Sequence, residues 1–81
     1  MNKINGWTEE EATGLIEYLY EGRKAGKPFS YLFETYGREH SRAASSVRNY
    51  YYTFMNMRCD ERVKRILAGK ELVLTGKIKL V

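Results

Sequence analysis

SRAASSVRNYYYTFM, Ser41 to Met55, is the stretch on which the fold turns. Its apolar residues Ala44, Val47, Tyr51 and Phe54, with Met55 beside them, recur at the spacing that gathers one face of an α-helix. Ser41 stands where a side-chain oxygen can cap the first turn. Arg48, Asn49, Tyr52 and Thr53 fall on the other faces, so the spacing predicts a helix with an apolar side and a basic, polar side. Consecutive helical positions are about 100° apart, so Tyr50, Tyr51 and Tyr52 cannot all point inward. Tyr51 is expected in the core, Tyr50 at its edge and Tyr52 in solvent.

The chain on either side repeats the pattern. Phe29, Leu32, Phe33 and Tyr36 form a second stripe, opened by Pro28 at a first helical position and ended by Gly37. Ala12, Leu15, Ile16 and Leu19 form a first, over about Thr8 to Glu21. There Thr8 and Glu11 have the spacing of a capping box, Trp7 can pack on Ala12, Glu9 and Glu10 suit the positive helix end, and Gly22 serves as terminator. Gly14 is the weak point of that helix. Downstream, Asp60 can cap a fourth helix, Glu61 to Ala68, with Val63, Ile66 and Leu67 inward and Gly69 as its stop. Glu71 to Val81 leaves three alternatives open: a hairpin turning at Thr75-Gly76, an extended arm, or a linker cut short.

Eighty-one residues allow one small domain. The 43% apolar and 30% charged content is that of a globular chain. No apolar run reaches the roughly 20 residues that span a bilayer, and Met1 to Gly6 is too polar for a secretory leader, so a cytoplasmic protein with no membrane partner is expected. Residues 1 to 22 carry a net −4 and residues 23 to 81 a net +8, which gives the domain an acidic and a basic face, the latter suited to a polyanion. One histidine, His40, and one cysteine, Cys59, provide neither a structural zinc quartet nor an oriented nucleophile, and no phosphate-cradling glycine motif occurs. Enzyme chemistry, a cofactor, a metal and a small-molecule substrate are therefore not expected.

Three short helices, with a glycine-containing turn between the second and third, follow the helix-turn-helix plan. Trp7-Thr8-Glu9-Glu10-Glu11 resembles the W-T-x-E-E opening of Myb/SANT repeats, and Val47-Arg48-Asn49-Tyr50-Tyr51-Tyr52-Thr53 resembles the I-K-N-x-W-x-x stretch of a Myb recognition helix. The likeness covers about residues 5 to 55. The three spaced tryptophans of a Myb repeat would map to Trp7, Phe29 and Tyr51, at spacings a few residues longer. Phe33 to Arg38 followed by Ser41-Arg42-Ala43-Ala44 is similar to the prespore-specific transcription regulators of endospore-forming bacteria, which would place the protein in the cytoplasm at the nucleoid.

The resemblance implies an all-α fold: a three-helix Myb/homeodomain-like helix-turn-helix bundle over residues 1–58. An additional C-terminal helix and an extended tail, residues 59–81, would pack on it or lead to a further domain. It also implies double-stranded DNA as partner, with the third helix in the major groove and base reading by Arg48, Asn49, Tyr52 and Thr53. The chemistry suits the positions, since arginine pairs with guanine O6 and N7 and asparagine with adenine N6 and N7. Lys27, Arg38, Ser41, Arg42 and Ser45 would contact phosphates, which positions a domain without reading sequence. Residues 41 to 58 hold Arg42, Arg48 and Arg58 and no acid, which favours DNA over the alternative, a SANT-like protein-interaction module. Tyr52, bulky in a reading position, favours the alternative. One such unit makes few contacts, so self-association through Val63, Ile66, Leu67, Leu72, Val73 and Leu74, or additional domains, would supply useful affinity.

Overall fold

The structure, a computed structural model, describes residues 3–4 and 6–75. Those residues are mostly helical. A two-residue antiparallel ribbon, β1 (Lys3–Ile4) and β2 (Trp7–Thr8), leads into α1 (Glu9–Lys24), α2 (Phe29–Glu39), α3 (Ala44–Asn56), α4 (Glu61–Leu67) and α5 (Glu71–Thr75). In the ribbon Lys3 pairs with Thr8 and Ile4 with Trp7, and Gly6 takes a φ of +83°. The dipeptide Asn5-Gly6 between the strands is a strong short hairpin signal that the helical reading passes over.

The start of α1 forms as its sequence predicts. Thr8 Oγ1 accepts the Glu11 N–H at 3.1 Å, and the Thr8 N–H donates to Glu11 Oε1 at 3.0 Å. Its end differs from expectation, because α1 runs through Gly22 for a further turn. Gly22 is retained for packing: a Cβ there would lie 2.4 Å from Leu32 Cδ2. The stop is Gly26, at φ +88°, where the Gly26 N–H reaches the Arg23 carbonyl at 2.9 Å and the Lys27 N–H reaches that of Gly22 at 3.0 Å. This pair of bonds satisfies the carbonyls left over at a helix end, and only glycine takes that φ without strain.

The turn between α2 and α3 is also displaced from its sequence reading. Pro28 is the N-cap of α2 rather than its first residue, and Gly37 is buried inside that helix instead of ending it. Ser41 takes a φ of +57° and the Arg42 N–H bonds back to the Gly37 carbonyl at 2.8 Å, so Ser41 closes α2 and does not cap α3. The N-cap of α3 is Ala43, with no side-chain bond. Gly37 is required by proximity, since a Cβ would lie 2.4 Å from the Arg42 carbonyl oxygen.

The buried residues form one cluster fed by every helix, with Leu15, Ile16, Leu19, Val47, Phe54 and Val63 wholly covered. Burying each such side chain contributes about 1.5–3 kcal/mol. The inward face of α3 is Val47, Tyr50, Tyr51 and Phe54. Tyr50 therefore lies deep in the core rather than at its edge, because the ribbon lays Trp7 over it with ring centroids 4.2 Å apart and planes 5° apart. Ala44, at the open end of α3, is exposed.

Asp60 caps α4 as expected, its Oδ1 accepting the Arg62 N–H at 2.8 Å. Past Gly69 the chain is helical over Glu71–Thr75. The hairpin and extended-arm readings thus fail for those residues, while Gly76 and the rest of the tail lie outside the described residues. Leu74 enters the core, and its carbonyl accepts the Tyr51 hydroxyl at 3.1 Å. The segment after residue 58 thus contributes Val63, Leu67 and Leu74 to the same core as the first three helices. Among the described residues no helix is long and apolar enough to cross a membrane.

Candidate nucleic-acid interface

The face of α3 that points away from the core is polar and uncovered. Ser45, Arg48, Asn49, Tyr52 and Asn56 are exposed and Thr53 is half-buried. Ser45, Asn49, Tyr52 and Asn56 fall in one line, three and four residues apart, which in a helix makes a single stripe. Asn56 was not among the expected readers, although it stands two turns beyond Asn49 and the repeat of residue type is visible in the sequence. Arg48 flanks the stripe, its guanidinium carbon 5.7 Å from the Tyr52 ring centroid. No acid lies within Ala44–Asn56, and no described carboxylate forms an ion pair with Arg48. Among the described residues the Arg48 guanidinium therefore has an aromatic ring beside it and no anionic partner.

On the other flank of the stripe lies an open groove of about 310 Å³ lined by Trp7, Arg42, Ser46, Asn49, Tyr50 and Thr53. The structure thus brings three of the expected residues, Arg42, Asn49 and Thr53, to one concavity. It adds Ser46, one turn before Asn49, which the sequence reading passed over. Trp7 is brought in by the ribbon, and its distance along the chain hides its part in the groove.

Arg42 is held more firmly than the other expected phosphate contacts. Its Nη2 donates to Glu11 Oε2 at 2.9 Å, and its guanidinium carbon lies 4.1 Å from the Trp7 ring centroid. Glu11 in turn spans two elements, one oxygen on the Thr8 N–H and the other on Arg42. The Thr8 amide first, and the Arg42 guanidinium second, hold its carboxyl below the ordinary carboxylate value. Burial pushes the Tyr51 hydroxyl up to about 12 and raises those of Tyr50 and Tyr36.

The remaining expected contacts are distributed unevenly. Ser45 lies on the α3 stripe and Ser41 in the turn before it, both exposed. Arg38 is exposed on α2, 3.8 Å from Glu34, a loose surface pair of little energetic weight. Lys27 is remote from α3 in its contacts: its Nζ lies 5.3 Å from the Tyr31 ring centroid, beside a separate groove between α1 and α2. Of the two residues weighed for catalysis, His40 is stacked on Tyr36 at 3.9 Å with its Nδ1 on the Tyr36 carbonyl, and Cys59 is exposed beyond α3. They are not brought together.

Compared with family models, curated proteins and solved structures, the chain matches none of them.

Proposed function

We propose that this chain is the double-stranded DNA-binding domain of a transcription regulator, a Myb-like three-helix unit that inserts α3 into the major groove. The observation that carries the reading is the acid-free face of α3, on which Arg48, Asn49 and Tyr52 are exposed and Arg48 has no ion-pair partner among the described residues. An α-helix fits the major groove, where Arg48 would pair with guanine and Asn49 with adenine, and each good pair discriminates by about 1–3 kcal/mol. Tyr52 and Thr53 lie one turn further along the same side. In this reading the exposed Ser41, Ser45 and Arg38 supply hydroxyl and guanidinium donors to the phosphates and fix the register of the helix.

Titration against random duplex DNA at several salt concentrations tests the proposal. The logarithm of the association constant should fall linearly with the logarithm of salt, by about 0.9 for each phosphate neutralised. Arg48→Ala and Asn49→Ala should lose preference among duplexes selected from a random pool while keeping the helical circular dichroism of the parent. No binding at the lowest salt would refute the reading. It would favour the alternative, a SANT-like protein-interaction module, for which the specific support is Tyr52: nearly half exposed, it presents an aromatic ring amid the stripe, a feature common to protein interfaces.

A further inference from the structure

We infer that Glu11 withholds Arg42 from the DNA backbone, so that Arg42 acts as a positioning residue for α3 rather than as a phosphate contact. The inference rests on the DNA reading above and adds the role of one side chain within it. Arg42 precedes the recognition helix, where a cation is the obvious partner for a phosphate. Its guanidinium is already engaged on one edge and on one face. Glu11 Oε2 takes one guanidinium nitrogen at 2.9 Å, the Trp7 ring lies beneath the guanidinium carbon at 4.1 Å, and the backbone N–H is committed to Gly37 at 2.8 Å. Glu11 cannot easily turn away, because its other oxygen closes the capping box on Thr8.

Four parts of the fold meet at this one residue: the ribbon through Trp7 and the start of α1 through Glu11 on its side chain, the end of α2 through Gly37 on its backbone, and α3 directly after it. Trp7 is stacked on Tyr50 of α3, so the cation fixes the ring against which α3 is seated. Arg42 also lines the groove that Ser46, Asn49 and Thr53 share. A phosphate that captured Arg42 would have to displace a hydrogen-bonded carboxylate and a ring contact, both formed in a partly dry setting where each is stronger than in water. The pair therefore contributes geometry to the reading face and no net counterion release.

The salt dependence of duplex binding separates the two roles, because a phosphate contact changes its slope and a positioning residue changes its height. For Arg42→Ala the log-log line should drop parallel to the parent's. Arg42→Lys should drop similarly, since lysine keeps the charge but not the planar fork that serves carboxylate and ring together. Glu11→Gln keeps the shape of the capping side chain but frees the guanidinium, and its slope should steepen by about one unit. A loss of about one unit of slope in Arg42→Ala, or an unchanged slope in Glu11→Gln, would overturn the inference while leaving DNA binding intact. A parent protein that binds no duplex at low salt would overturn the reading of the interface, and the withholding with it. Trp7 is the only tryptophan, so its fluorescence reports the Arg42–ring contact in the free protein, and Arg42→Ala should shift its emission in a still-helical chain. Unchanged emission would remove the ring from the argument and overturn the positioning role.

Discussion

Replacing Tyr50 by phenylalanine should stabilise the protein. The side chain is 3% exposed, its ring is stacked on Trp7, and its hydroxyl is buried without a hydrogen-bond partner among the described residues. In the unfolded chain that hydroxyl is hydrated, so folding strips it of water and returns nothing, at a cost of about 1–3 kcal/mol. Phenylalanine keeps the ring and its stack. It leaves a void smaller than a water molecule, which at about 24 cal/mol per Å³ offsets a few tenths of a kilocalorie. A net gain of about 1 kcal/mol remains, equivalent to a rise of about 4–8 °C in the thermal midpoint of a domain this small.

Circular dichroism melts and urea titrations with an unchanged m-value would measure the gain, and a fall in the midpoint would refute the reasoning. The alkaline limb gives an independent check. Burial raises the Tyr50 pKa above its ordinary 10.0, so above pH 10 the unfolded chain loses the proton first and stability declines. In Tyr50→Phe that part of the decline should vanish, and the advantage over the parent should widen as pH rises.

Tyr51→Phe should have the opposite sign, costing about 1 kcal/mol in the same melts, because it removes the hydrogen bond to the Leu74 carbonyl and loosens α5. Gly14→Ala should gain about 1 kcal/mol from helix propensity, since nothing lies within 4 Å of the added Cβ. Gly37→Ala should instead lose about 2–4 kcal/mol, because its Cβ would meet the Arg42 carbonyl oxygen at 2.4 Å and backbone must move. On the acid side, the lowered Glu11 pKa means that its contribution is present above about pH 4.5 and is lost as pH falls through its folded value. The midpoint of Glu11→Gln should therefore converge on that of the parent between neutral and strongly acid pH, and a constant gap across that range would contradict the assignment.

The DNA reading draws its charge from Arg48, which no acid engages among the described residues. Four of the five described ion pairs hold elements in place or cap helices, through Arg42, Arg58, Arg62 and Arg65, whereas Arg48 forms no ion pair among the described residues and lies beside the Tyr52 ring. An arginine kept free of acids on an exposed helix face contributes little to stability, and recognition of an anion is the chemical use that suits it.

Periodicity alone identified four helices, the capping box at Thr8 and Glu11 and the Asp60 cap, because each depends on side chains within a few residues of one another. It also placed Arg48, Asn49 and Tyr52 on the outer side of α3, since the 3.6-residue repeat separates faces without reference to any other element. It misjudged helix ends at Gly22, Gly37 and Ser41. A glycine in a sequence signals either a turn or a close approach, and only the neighbours, Leu32 against Gly22 and the Arg42 carbonyl against Gly37, decide which. Tertiary structure likewise decided the depth of Tyr50, the commitment of Arg42 to Glu11 and the entry of Leu74 into the core. Those contacts join residues 23 to 43 positions apart, and their energies depend on which surfaces the folded chain brings together, a quantity that no local repeat encodes.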